Sequence, residues 1–210
     1  MVGRAEALEA INDLLASATI FATSSSDLLA AELGKVAGDR VTFTQLKLLR
    51  LVDRQGRLTV GDVAAFLGIS NAAASKAVER MVRGGLLSRA ESPDDRRATE
   101  VTMTSEGHQM LQEFETRTSA ILLKLLAGVD VRHLRDLSGN LDRLSVSLSA
   151  GSGDEARVCF RCGLYFREDC LLRTLTNRQC YLHLGGSRSG GGTRRGSTGH
   201  RVGATTGGSV

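Results

Sequence analysis

A chain of 210 residues is long enough for one substantial domain with an appendage, and 41% hydrophobic content is ample for a core. Aromatics make up only 4%, so leucine, valine and alanine must fill the interior, as expected of a helical protein. The net charge of +4 is uneven: residues 1–150 hold 18 Lys+Arg against 19 Asp+Glu, and residues 151–210 hold 9 against 4, so the basic isoelectric point says nothing for nucleic-acid binding by the main domain.

Arg4, Glu6, Glu9 and Asp13 interrupt any secretory signal, and no uncharged apolar stretch approaches membrane-span length. The expectation is a cytoplasmic protein with no membrane partner. Leu8, Ile11, Leu14, Leu15 and Ala18 recur at helical spacing, and Leu28, Leu29 and Leu33 resume after Thr23-Ser24-Ser25-Ser26. That polar run reads as a break or a second cap, and the stripe reads equally as core or as a subunit interface. A helix over 41–52 follows, with Thr44 as its expected cap, Phe43 as a staple, and Leu46, Leu48, Leu49 and Val52 facing inward. Asp53-Arg54-Gln55-Gly56 is its expected exit turn.

The stretch from Leu58 to Met103 organises the rest. Thr59 with Asp62 predicts a capped helix whose apolar face is Val63, Ala64, Phe66 and Leu67, closed by Gly68. Ser70 opens a second helix over 71–83, where Ala74, Val78, Met81 and Val82 fall at helical spacing. Asn71, Ala72, Ser75, Lys76 and Arg80 are left for its outer face, short or basic side chains that suit close approach to a DNA major groove. Gly84 and Gly85 end that helix, and strands over 86–90 and 98–103 form a hairpin. Its tip carries Asp95, Arg96 and Arg97, two guanidinium groups for phosphates or a minor groove and a carboxylate to orient one of them.

The run SNAAASKAVERMVRGGLLSRAESPDDRRATEVTMTSEG resembles the winged helix-turn-helix of the MarR (multiple antibiotic resistance regulator) transcription factors. The resemblance rests on the Gly85-Leu86-Leu87 step, the Asp95-Arg96-Arg97 wing tip (the family's D-x-R) and the Met103-Thr104-Ser105-Glu106-Gly107 entry to the next helix. The family usually has leucine where Met103 stands. The likeness extends over roughly residues 5–148 and implies a homodimer on a pseudo-palindromic double-stranded DNA operator. The family's usual mode is repression, relieved by a small-molecule effector or by oxidation. The expected fold is mainly α with a small β-hairpin wing: N-terminal dimerisation helices over 1–40, the winged helix-turn-helix over 41–104 and C-terminal dimerisation helices over 105–150.

Thr104 is the expected cap of a helix running to Ala127 and closed by Gly128, and a further helix starts at Val131. There Leu134, Leu137, Leu141, Leu144 and Leu148, three and four apart, resemble one side of a helical seam. His108 and His133 stand alone and receive no role.

Beyond a flexible linker the composition changes. All four cysteines follow the pattern Cys159-x2-Cys162-x7-Cys170-x9-Cys180, and four of the eight aromatics lie between Cys159 and Tyr181. Four thiolates repel one another unless a metal neutralises them, and metal binding would also fold a segment too small for its own core. Residues 151–184 therefore read as a metal module with zinc, or alternatively an iron–sulfur cluster, as cofactor. His183 is a substitute ligand in a minority reading. Residues 185–210 hold 10 glycines, Arg188, Arg194, Arg195, Arg201 and no acid, a composition expected to be disordered.

The leading functional expectation is thus a dimeric DNA-binding regulator. The alternative is a redox or iron–sulfur protein whose cysteine centre is primary. No nucleophile elbow, phosphate loop or paired catalytic carboxylates point to an enzyme.

Overall fold

A computed structural model describes residues 3–91, 99–150, 165, 167–175 and 180. The wing-tip residues Asp95, Arg96 and Arg97, the cysteines Cys159 and Cys162, His183 and the Gly/Arg tail lie outside the described residues.

The first helix, α1 (Arg4–Ala37), is continuous. The expected break at Thr23 to Ser26 does not occur. Neither glycine nor proline stands between Arg4 and Leu33, and nearby the Thr19 hydroxyl donates to the Leu15 carbonyl within the helix at 2.7 Å. Continuity has a consequence for length. With the serine run inside it, one helical segment over 4–40 contains an 18-residue window of mean hydropathy 1.3, long and apolar enough to span a membrane. The uncharged part of that helix stays short, as expected, because Asp13 and Asp27 bound a run of thirteen residues; the window reaches its hydropathy only by admitting a charged side chain.

A 3-10 turn, Gly38–Arg40, leads to α2 (Phe43–Gln55). Thr42, not Thr44, is its cap. The Thr42 hydroxyl accepts from the Gln45 amide while the Gln45 side-chain oxygen accepts from the Thr42 amide at 2.8 Å, a reciprocity Lys47 could not give Thr44. Phe43 is consequently the first helical residue. At the far end α2 runs through the expected exit turn to Gln55, and Gly56, at φ 75°, turns the chain out.

Strand β1 (Arg57–Thr59) was not expected; it adds to the hairpin of β2 (Leu87–Glu91) and β3 (Thr99–Met103) as an antiparallel sheet ordered β1-β3-β2. Between them stand α3 (Val60–Leu67) and α4 (Asn71–Arg83). Helices α5 (Ser105–Leu125), α6 (Val131–Ala150) and the short α7 (Leu171–Leu175) complete the elements of the described residues. Helix α5 ends at Leu125, two residues before the expected limit, when Leu126 donates to the Leu122 carbonyl and the turn begins ahead of Gly128.

The core is centred on α2, where Leu46, Leu48, Leu49, Leu51 and Val52 are all fully buried. They pack in one cluster with Leu58, Val63, Phe66, Val78, Met81, Val101 and Phe114, which joins the sheet, α3, α4 and α5 to one helix. Helix α1 joins through Leu29, Leu33 and Ala37 and through Glu32, a buried carboxylate. Lys35 and then Arg117 of α5 hydrogen-bond Glu32, and together they hold its carboxyl below the usual carboxylate range.

The apolar stripe on the first half of α1 is not core within one chain. Leu8, Ile11, Leu14 and Leu15 are exposed, and so are Leu137, Leu141, Leu144 and Leu148 of α6.

Candidate nucleic-acid interface

The helix pair α3 and α4 is built by caps and by glycines. Thr59 and Asp62 form the expected reciprocal cap, with the Asp62 amide donating to the Thr59 hydroxyl at 3.1 Å and the Thr59 amide to the Asp62 carboxylate at 3.0 Å. Gly68 ends α3 in the left-handed conformation, φ 65°. Two residues later Ser70 caps α4 by accepting from the Ala73 amide at 3.2 Å.

Helix α4 buries Ala74, Val78 and Met81 and turns the opposite face outward. Asn71, Ala72, Lys76 and Arg80 are exposed there, with Ser75 half-buried beside them; Glu79 and Arg83 are exposed as well. The expected readers of the major groove therefore share one helix, and its first turn carries two short side chains, Asn71 and Ala72.

The exit of α4 fixes how that helix stands. Gly85 takes φ 76°, the Leu86 amide donates to the Met81 carbonyl and the Gly85 amide to the Val82 carbonyl, both at 3.0 Å. The start of α5 then holds the exit. The Thr104 hydroxyl donates to the Gly85 carbonyl at 2.6 Å and accepts from the Gly107 amide at 3.0 Å, while the Thr104 amide donates to the Leu86 carbonyl at 3.2 Å. One threonine thus caps α5 and anchors the end of α4.

On the wing, the register pairs Leu87 with Met103 and Glu91 with Thr99. Ser88 and Thr102 share a hydroxyl hydrogen bond at 2.7 Å across it. Arg57 of β1 and Glu100 of β3 approach to 3.5 Å. Sequence reasoning gave Arg89 no role, yet β2 lies at the end of the described sheet order, beside β3, and leaves Arg89 exposed on the way to the wing tip. A cation between the recognition helix and an arginine-bearing tip was the available signal.

Capped helix pair, glycine exit and three-stranded wing form a winged helix-turn-helix. Residues 41–98 match the model of the MarR family. That family is one of non-enzymatic, DNA-binding transcriptional regulators. The HTH-type transcriptional regulator YhbI of Bacillus subtilis, itself uncharacterized, is 26% identical over 117 residues, 54% of this chain and 76% of YhbI. A second uncharacterized HTH-type regulator of that bacterium, YdgJ, is 24% identical over 104 residues, 50% of this chain and 63% of YdgJ.

Solved structures share the MarR-type fold. The protein RV1404 from Mycobacterium tuberculosis superposes with a TM-score of 0.56 at 18% identity, covering 70% of this chain and 94% of its own. A cysteine-to-serine mutant of MarR from E. coli, crystallised with operator DNA, gives a TM-score of 0.51 at 18% identity over 64% of this chain and 94% of its own. Nearly the whole of each neighbour is thus matched by about two thirds of this chain, and the remaining third lies outside the likeness.

Of the expected metal ligands, Cys170 and Cys180 are described and both are buried; they flank α7, which packs on α6. Cys180 belongs to the main core cluster. No group of three or more His, Cys, Asp or Glu side chains with metal-binding spacing occurs among the described residues.

Proposed function

We propose that this chain is a homodimeric MarR-type repressor, which binds a pseudo-palindromic double-stranded DNA operator and is relieved by a small-molecule effector or by a change at its cysteine module. The observation that carries the reading is the exposed face of α4, short and polar at its start and basic beyond, on a helix whose other face is locked into the core within the MarR-matching stretch. Asn71, Ala72 and Ser75 approach base edges, Lys76 and Arg80 contact bases or phosphates, and the wing brings Arg96 and Arg97 with Asp95 to orient one of them. Dimerisation is supported by the exposed leucines of α1 and α6, which helical proteins of this size do not ordinarily leave in water.

Titration of a labelled fragment of the DNA upstream of its own gene, followed by fluorescence anisotropy, tests the reading. Lys76→Ala and Arg97→Ala are each expected to weaken specific binding by about 1–3 kcal/mol. Full affinity in the Arg97 variant would remove the wing tip from the mechanism, and full affinity in both would remove the whole face.

The cysteine module is proposed to hold one zinc ion through Cys159, Cys162, Cys170 and Cys180, with a four-thiolate iron–sulfur cluster as the competing occupant. Elemental analysis and an absorption spectrum on anaerobically purified protein decide it. Zinc without visible colour, lost in Cys170→Ser, is the expected result; iron with acid-labile sulfide and a brown band would replace zinc by a cluster.

A further inference from the structure

Arg50 has no part in the proposed DNA contacts, yet it stands where three parts of the chain meet. It lies on α2, and its side chain is only 15% exposed. A guanidinium so placed needs partners for its donors. One Nη nitrogen reaches the Glu115 carboxylate of α5 at 3.2 Å, and the planar group lies 5.9 Å from the Phe114 ring centre, also on α5. The Nε is buried and donates to no acceptor among the described residues. The closest ring contact comes from the C-terminal extension, where the Tyr165 ring centre sits 5.0 Å from the guanidinium carbon.

Tyr165 is not alone in this. Arg167 donates from Nη2 to the Asp142 carboxylate at 2.7 Å and from Nη1 to the Ser138 hydroxyl at 3.3 Å, both on α6. Helix α7 packs on α6, and Cys180 is buried in the core cluster. The extension is therefore fastened to α2 and α6 of its own chain. Residues 138 and 142 lie one turn apart, on the flank of α6 beside the exposed leucine stripe of 137, 141, 144 and 148.

We propose that Tyr165, Arg167, α7 and Cys180 form a built-in effector of the DNA-reading unit, docked in cis between that unit and the long helices, and that Arg50 is the positioning residue through which its seating reaches the recognition helix. The path is short. Leu48, Leu49, Leu51 and Val52, the neighbours of Arg50 on α2, pack in the same cluster as Val78 and Met81 of α4, so a shift of α2 moves the floor on which the recognition helix rests. Tyr165 is half-exposed, so its contact with Arg50 can form and break without opening the core. Because Cys170 and Cys180 bracket α7, chemistry at the cysteines acts on a segment already touching α2 through Tyr165. The output of the device rests on the DNA-binding reading above; its docking does not.

The test compares the full chain with Tyr165→Ala and Tyr165→Phe, reading hydrogen exchange over α7 and affinity for the upstream DNA fragment. Losing the ring is expected to raise exchange across α7 several-fold and to change DNA affinity by about threefold or more, the sign telling which posture the docked segment favours. Phenylalanine keeps the ring face and is expected to restore both. Unchanged exchange in the alanine variant would overturn the docking through Arg50. Faster exchange with unaltered affinity would overturn the coupling. A wild-type chain that binds no upstream DNA would sink the regulator reading, and with it the output, while the exchange measurement would still decide the docking.

Discussion

Leu141→Glu combined with Leu148→Glu is expected to convert the proposed dimer to a monomer and to lower operator affinity by about 10²–10⁴-fold. Leu137, Leu141, Leu144 and Leu148 recur at four, three and four residues along α6 and are 53%, 37%, 39% and 71% exposed in one chain. Each leucine taken fully out of water contributes about 1.5–3 kcal/mol, so the stripe and the matching exposed residues Leu8, Ile11 and Leu15 of α1 can hold two chains together. Two carboxylates placed in that seam lose their hydration without gaining partners. The affinity loss follows from geometry, since two recognition helices tied in one dimer engage two half-sites at once and a monomer engages one. Because these side chains contribute little to the core of the single chain, the variant is expected to keep its helical circular dichroism. Light scattering and DNA titration on the same sample give the two readouts. A double variant that stays dimeric would place the interface elsewhere, and a monomer with undiminished affinity would show that the second half-site adds nothing.

What could be read in advance divides along a physical line. Capped and glycine-closed segments were legible: Thr59 with Asp62, Gly68, Ser70, Gly85 and Thr104 all act where the sequence places them, because a cap depends on residues three or four apart and on little else. Where two candidates stood close together, the reciprocal partner decided, and the choice of Thr44 over Thr42 missed Gln45. The strand Arg57–Thr59 could not be seen locally. Its three residues are too few for a periodic pattern, and its pairing with Glu100 to Thr102 is a contact across some forty positions of chain. The continuity of α1 through Ser24 to Ser26 is a similar case, because weak helix formers are tolerated when the turns on either side are strong and no glycine or proline intervenes. The exposed face of α4 was legible residue by residue. Arg50 was not: an arginine among leucines reads as an exposed position, and only the fold reveals that two aromatic rings and a carboxylate from distant segments close around it.

Gly107→Ala is expected to lower the melting temperature by roughly 4–8 °C, the shift for about 2 kcal/mol in a chain of this size. Local propensity argues the other way, since alanine inside a helix is favoured over glycine by about 1 kcal/mol. Tertiary packing overrules it. A Cβ at residue 107 would stand 2.3 Å from the Leu86 carbonyl oxygen and 2.7 Å from Met103 Cγ, and the first of these is backbone that no rotamer change can remove. Forcing the two segments apart costs about 3 kcal/mol, which leaves the net loss of about 2. The displaced group is the telling one. Leu86 follows the glycine exit of the recognition helix and its carbonyl accepts from Thr104, so relief of the clash disturbs the seam that sets the angle of α4 against α5. DNA affinity is therefore expected to fall at temperatures where the variant is still fully folded. Gly139→Ala on α6 is the control, for a Cβ there meets nothing within 4 Å and should raise stability slightly. Equal behaviour of the two variants would mean that the start of α5 does not fix the recognition helix. A stable Gly107 variant with weakened DNA binding would instead show the seam to be adjustable, with its cost borne by function alone.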